Sequence, residues 1–259
     1  MDLHLKDKFF VVTGGASGIG AAISVAVDAE GGIPIIVGRN KEKGDQLLSK
    51  LNRGYQVIAQ LGTIDECKKA VDDILKISSH IHGLVNNAGA NDGVGLENGT
   101  LEEFLKSLQN NLHHYYHLAH LLLPTLKSTT GSILNVSSKT ALTGQGNTSA
   151  YAAAKGAQLA LTREWAVELL KYNIRVNAIV PSEVMTPLYQ SWIDTFEDKE
   201  ARLESITAKI PLGQRMTTAE EIADTAVFLL SDRASHITGQ HLFVDGGYVH
   251  LDRALAGNS

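Results

Sequence analysis

Seven short apolar runs punctuate this chain, and stretches of helical periodicity separate them. That alternation constrains the fold more than any other feature. The runs are Phe9–Thr13, Ile33–Gly38, Tyr55–Ala59, Ile81–Asn86, Ser132–Ser137, Ile174–Val180 and His241–Val244. Helices are expected over 18–30, from Lys41 onward, and over 65–78, 100–123, 149–171 and 219–230. Strands that are apolar along their whole length are buried on both faces, so they belong in a parallel sheet covered by helices. Right-handed crossovers then wind the chain into a doubly wound α/β sheet of seven strands, Rossmann-like, with helices on both faces. Proline and glycine fall at element ends, and there is no internal repeat or linker. Residues 1–259 therefore read as a single domain. After Pro181 the helical period weakens, and 181–211 is expected to be an irregular segment serving as a lid.

Composition narrows the partners. A net charge of -5 over 259 residues leaves no basic excess to neutralise a phosphodiester backbone, so nucleic acid is not expected. The single cysteine, Cys67, can form neither an intrachain disulfide nor a structural zinc site, and reads as a helix-packing residue. The opening M-D-L-H-L-K-D-K lacks the apolar stretch of a secretory signal, and no apolar run reaches the ~18 residues of a membrane span. A cytoplasmic location and a small-molecule partner are the expectations.

The first strand runs into T-G-G-A-S-G-I-G at Thr13–Gly20, which opens the first helix. Glycines there permit a tight turn and let backbone N–H groups approach a pyrophosphate at the positive end of the helix. Gly14, Ser17, Gly18, Ile19 and Gly20 are the expected dinucleotide contacts. Their spacing departs from the common G-x-G-x-x-G pattern, and a glycine-rich turn without a ligand is the plain alternative. Beyond the second strand, Gly38 offers no carboxylate for a ribose 2′-hydroxyl, whereas Arg39 can make a forked contact to a 2′-phosphate. NADP is therefore expected over NAD; the alternative is a solvated Arg39 that serves both. The small residues of Asn87, Ala88 and Gly89, after the fourth strand, leave room for a flat ring, and Asn86 can bond backbone or adenosine.

Tyr151 and Lys155 stand four residues apart in a helical stretch and share one face. An ammonium beside a phenol favours the phenolate, and a phenol brought from ~10 to near neutrality is a general base. Ser138 lies just past the fifth strand, at the end of the sheet where open α/β folds bind ligands, 13 residues before Tyr151. A tyrosine–lysine helix pair and a serine turn are each commonplace alone. Together they point to proton transfer at a carbon bearing oxygen.

These motifs jointly resemble the short-chain dehydrogenase/reductase family over nearly the whole chain. The resemblance rests on T-G-G-A-S-G-I-G, N-N-A-G at Asn86–Gly89, S-S at Ser137–Ser138, Y-A-A-A-K at Tyr151–Lys155, I-R-V-N-A-I-V-P at Ile174–Pro181 and V-D-G-G at Val244–Gly247. It implies an NAD(P)-dependent oxidoreductase, independent of metal, in which Tyr151 is the acid/base. Lys155 would lower its pKa and hold the nicotinamide ribose, and Ser138 would orient the substrate oxygen. Asn111 would hold a water in a proton relay, with Asn110 as the adjacent alternative. Pro181, Val184 and Thr186 would border the nicotinamide end of the cofactor. The chain departs from the family's pattern at Ser182, where glycine is frequent, and at Gln60 or its neighbour, where an aspartate usually meets adenine.

Within the family, residues 137–149, 181–189 and 245–255 look most like the L-fucose dehydrogenase branch, which oxidises an aldose at its anomeric carbon to a lactone. Asn91, Gln145 and Glu183 are expected to read sugar hydroxyls, and Trp192 to stack on a sugar face. Ordinary loop polarity is the alternative for the first three. A 3-oxoacyl, steroid or polyol carbonyl reductase is the competing enzyme, and a cofactor-binding regulator without turnover the competing non-enzyme. Met185, Leu188, Trp192, Ile193 and Phe196 bring apolar character to the lid, and helical spacing assigns most of them to packing. His113, His114, His117 and His120 share one predicted helix; the spacing of His113 and His117 can suit zinc, but subunit contact is the preferred reading and no metal is expected. The resemblance implies a homotetramer, with helices 100–123 and 149–171 and the tail Tyr248–Leu255 as contacts.

Overall fold

The computed structural model describes residues 1–251. Seven strands form one parallel sheet: β1 (Phe9–Thr13), β2 (Ile33–Gly38), β3 (Tyr55–Ile58), β4 (Ile81–Asn86), β5 (Ser132–Val136), β6 (Arg175–Pro181) and β7 (His241–Val244), in the order β3-β2-β1-β4-β5-β6-β7. The helices are α1 (Gly18–Ala29), α2 (Lys41–Leu48), α3 (Ile64–Ile77), α4 (Leu101–Leu108), α5 (His114–Thr129), α6 (Ser149–Glu168), α7 (Pro187–Ile193), α8 (Lys199–Thr207) and α9 (Ala219–Leu230). No described helix is long and apolar enough to cross a membrane.

Alternation along each strand divides the core. Val11, Ile35, Val37, Leu84, Ile133 and Val176 face one side and meet α3, α5 and α6. Phe10, Val12, Val85, Leu134, Val136 and Ile179 face the other and meet α1 and α9 through Ile23, Val27, Ile222, Ala226 and Leu230. Side chains such as Ile23 and Val27 are fully buried, and each such burial contributes about 2 kcal/mol. Helix starts are fixed locally: Thr63 with Glu66, Thr100 with Glu103 and Thr218 with Glu221 form capping boxes that satisfy the first free amides.

Two expectations need correction. The helix expected over 100–123 is α4 and α5, joined by a π-helical turn at Gln109–His113, and α5 continues to Thr129 with Pro124 inside it. The turn sets Asn111, 1% exposed, against the sheet end rather than on a continuous helical stripe. Segment 181–211, expected to be irregular, holds α7 and α8. Thr186 caps α7 ahead of Pro187, and Asp198 caps α8. Both caps were visible in the sequence; the weak apolar period over such short helices hid them. Of the tail Tyr248–Leu255, residues 252–255 lie outside the described residues.

Candidate active site

The chain adds β2 and β3 on one side of β1, then returns to place β4 on the other. A crevice opens at such a switch point, beyond the carboxyl ends of the two central strands. Thr13 ties its walls together. Its fully buried hydroxyl accepts from the amides of Asn87 at 2.9 Å and Ala88 at 3.0 Å, and donates to the Val85 carbonyl at 3.2 Å. Asn87 Nδ2 returns a bond of 2.8 Å to the Thr13 carbonyl. Asn87 and Ala88 are thereby held beside the glycine turn. Asn86 is turned away from the crevice: fully buried, it donates to Asn135 Oδ1 at 3.1 Å and to the Tyr115 carbonyl at 3.5 Å.

The turn is shaped to bring backbone close to a ligand. Gly14 and Gly18 take φ of +62° and +54°, which side chains disfavour. Ser17 precedes α1 in extended conformation and makes no side-chain cap, so the first amides of the helix are left to other acceptors. A Cβ on Gly18 would lie 3.2 Å from Thr186 Cγ2, which places Thr186 directly across the turn. Val184 is 5% exposed and pairs with Thr217 in an isolated parallel bridge, and Pro181 ends β6 beside Val244. At Gly20 a Cβ would overlap the Gly14 carbonyl oxygen and approach Asn87 Nδ2 to 2.6 Å. Gly20→Ala must therefore displace the turn. We expect it to weaken dinucleotide binding at least ~10-fold, read as Kd by fluorescence titration, with the far-ultraviolet circular dichroism retained. Beside β2, a Cβ on Gly38 would meet nothing within 4 Å among the described residues, and Arg39 is exposed at the open end. These features fit a dinucleotide with room around its adenosine ribose.

Across the crevice, β5 and α6 bring Ser138, Tyr151 and Lys155 together. Burial drives the Tyr151 phenol up to about 12; a hydrogen bond with Ser138 opposes the rise and Asp92 adds to it. Burial pulls the Lys155 ammonium down to about 7. Lys155 Nζ donates to the Val136 carbonyl at 2.7 Å and to Tyr115 Oη at 3.3 Å, and lies 5.5 Å from the Tyr151 ring centroid. In so dry a site either charge alone is costly, so both groups shift toward their neutral forms. Asn111 is close by. Its Oδ1 accepts from the Ala90 amide at 2.8 Å, its Nδ2 donates to the Ser107 carbonyl at 3.0 Å, and its own carbonyl accepts from Gln158 Nε2 at 2.7 Å. A Cβ on Gly89 would lie 2.7 Å from Asn111 Oδ1 and 3.9 Å from Lys155 Nζ, so these three converge.

The other expected residues divide. The Glu183 side chain is mostly buried and ion-paired to Lys139, with Tyr189 Oη donating to its second oxygen at 2.7 Å. Trp192 is 41% exposed and packs edge-on against Tyr189 and Phe196, with the Arg202 guanidinium 5.3 Å from its ring. Asn91 is exposed and folds back on the Gly93 amide at 3.1 Å, and Gln145 is exposed in the loop before α6. The apolar lid residues expected to pack mostly do not: only Ile193 is fully buried, whereas Met185, Leu188 and Trp192 are exposed. Gln60 is exposed past the end of β3. On α5, His114 is buried against the Ala88 carbonyl at 3.1 Å and driven down to about 4 by burial, while the rings of His113 and His117 are 6.3 Å apart. Sequence reasoning missed Lys139, Tyr189, Tyr115 and Tyr248. A signal existed for Lys139: β5 and β6 pair in parallel with Val136 beside Ile179, so residues just past each strand must be neighbours.

A glycine turn at a switch point, facing a half-buried tyrosine and a buried lysine, defines a dinucleotide-dependent oxidoreductase. Comparison with known proteins agrees. The family profile described as enoyl-(acyl carrier protein) reductase matches residues 14–249. The chain is 32% identical to the 3-oxoacyl-[acyl-carrier-protein] reductase of Thermotoga maritima over 252 residues, covering 95% of this chain and 100% of the relative. It is 36% identical to the L-fucose dehydrogenase of Oryctolagus cuniculus over 242 residues, covering 93% and 84%. The crystal structure of Cj0485 dehydrogenase superposes with a TM-score of 0.94 at 50% identity, covering 98% of each chain. The chain belongs to the short-chain dehydrogenase/reductase family, oxidoreductases that use NAD(P) and act on small molecules.

Proposed function

We propose that this oxidoreductase is an aldose 1-dehydrogenase that oxidises L-fucose or a related sugar at its anomeric carbon to the lactone, using NADP in preference to NAD. The observation that carries this reading is the Glu183 carboxylate. It is held nearly out of water at the end of β6, on the strand beside the one that delivers Ser138. A carboxylate there suits a ligand with several hydroxyls and penalises an acyl chain.

When bound, the dinucleotide supplies the hydride acceptor. Tyr151 takes the proton of the C1 hydroxyl while Ser138 holds that oxygen in line. Lys155 offsets the negative charge that develops on the phenol. Asn111 positions the loop after β4 through Ala90, and the second lone pair of its carbonyl holds a relay water beside Lys155. Gly14, Ser17, Gly18, Ile19 and Gly20 cradle the pyrophosphate; Asn87, Ala88 and Gly89 border the rest of the cofactor from β4, and Pro181, Val184 and Thr186 from β6. Asn91, Gln145, Glu183 and Trp192 line the sugar side, and segment 181–211 closes over it as a lid.

A screen of pure protein against aldoses and a β-keto thioester, with both cofactors, tests the reading. L-Fucose or a related aldose should be the better substrate. Reduction of the thioester without aldose oxidation would instead establish a 3-oxoacyl, steroid or polyol carbonyl reductase, a reading favoured by the exposed Met185 and Leu188 at the start of α7.

NADP preference rests on Arg39 and the open space at Gly38. Arg39→Ala should lower kcat/KM for NADP by about 10- to 100-fold and change that for NAD by less than about threefold, the difference being one forked phosphate contact. Equal losses with both cofactors would refute it. A homotetramer is the proposed assembly. It would bury Leu101, Leu105, Tyr116 and Val167, exposed on α4, α5 and α6, and sedimentation velocity reads its mass.

A further inference from the structure

Lys139 and Glu183 form an ion pair whose side chains are only 10% and 13% exposed. They leave adjacent strands: the Ser137 amide bonds the Ile179 carbonyl at 2.9 Å, and the two chains continue side by side into 138–140 and 182–183. Tyr189 of α7 bonds the second oxygen of Glu183, and the Tyr248 ring lies 3.9 Å from Lys139 Nζ. Two flanking hydroxyls, Thr140 Oγ1 and Ser182 Oγ, are buried with no hydrogen-bond partner among the described residues. Such a pair is a poor source of stability, because removing both charges from water costs about as much as their attraction returns, and apolar residues of similar volume do as well or better. Capacity also remains: an ammonium has three donors and a carboxylate about four acceptor sites, and each group spends only part of its own here.

We propose that Lys139 and Glu183 act as one two-ended reader of adjacent hydroxyls on the substrate. The ammonium donates to one hydroxyl oxygen and the carboxylate accepts from the O–H of its neighbour. Ser138, assigned above to hold the reacting oxygen, immediately precedes Lys139, so the proposal sets the pair at that end of the substrate. This inference rests on the polyhydroxylated-substrate reading above and adds its means of selection. An alcohol without a second hydroxyl dehydrates the pair further and returns no hydrogen bond, so it is rejected. Tyr189 carries the same contact into α7, which makes it a positioning residue for Glu183.

The test measures kcat and KM for L-fucose and for cyclopentanol with the wild type, Lys139→Met, Glu183→Gln and the double variant Lys139→Met/Glu183→Leu. The aldose-to-cyclopentanol ratio of kcat/KM should fall about 10²-fold in each, mostly through the KM of the aldose. The double variant leaves no lone buried charge and should unfold at or above the wild-type temperature. A ratio within about threefold of wild type in the folded variants overturns the proposal. So does a double variant that unfolds well below the wild type, which would make the pair structural. A wild type inert toward every aldose sinks the functional reading and this inference together; a wild type active on aldoses with unchanged ratios in the variants sinks this inference alone.

Discussion

Tyr151→Phe should lower kcat for alcohol oxidation by about 10³- to 10⁴-fold and leave dinucleotide affinity within about twofold. The substitution removes one hydroxyl and leaves the ring in place. Cofactor titration of the same preparation confirms the fold. A variant that kept more than about a tenth of wild-type turnover would remove Tyr151 from the chemistry. The pH profile is part of the same argument. The phenol alone, driven up to about 12, is a poor base at neutrality. Lys155, drawn down to about 7, releases the first of the two protons that the pair holds. Once that proton is gone, the remaining one can sit on oxygen or on nitrogen. With it on nitrogen, phenolate and ammonium offset each other's charge, and the phenolate is the working base. The kcat/KM for oxidation should thus rise with pH through a midpoint near 7, although neither residue is an ordinary group of that pKa.

Lys155→Met should abolish that midpoint, push any residual rise far to the alkaline side, and stabilise the fold at neutral pH. The unfolded lysine titrates near ~10.4 and the folded one near 7. Between those values the unfolded chain binds more protons, so the wild type gains stability as pH rises from about 7 to about 10. Below about 7 the full cost of the buried ammonium is present. The variant escapes it, so its advantage is largest there and fades toward pH ~10. The shift corresponds to several kcal/mol. The lost bonds to the Val136 carbonyl and Tyr115 Oη offset part of it, leaving a net gain of roughly 2 kcal/mol at about pH 6. Tyr151 does not alter this window: its raised pKa favours the fold below ~10 and that contribution is lost only above it. Urea unfolding without cofactor at about pH 6 and about pH 9 reads both the sign and the trend. A variant less stable than wild type at the lower pH would show that Lys155 serves packing.

The fold was legible because it rests on local pattern. Continuous apolar runs, helical periodicity between them and glycines at Thr13–Gly20 are each contained within a few residues, and the parallel sheet follows from burial on both strand faces. The π-helical turn at Gln109–His113 was not legible. Its cause lies in what Asn111 touches: the Ala90 amide and Gln158, 21 and 47 residues away. Segment 181–211 was misread for a nearer reason, since helices of 7 and 9 residues are too short to display a period even when their caps are plain.

The candidate site divides in the same way. Tyr151 and Lys155 share a helix face, and four residues of spacing suffice to say so. The direction in which their protons move was decided only by tertiary structure, because desolvation depends on everything packed around them. Lys139 and Glu183 make the case most sharply. In sequence they are two loop residues 44 apart. The pairing of β5 with β6 makes them neighbours, and burial turns two ordinary surface charges into a pair. Residue order determined which chemical groups this chain carries and which strands hold them; the packing of those strands decided which charges meet and how far each stands from water.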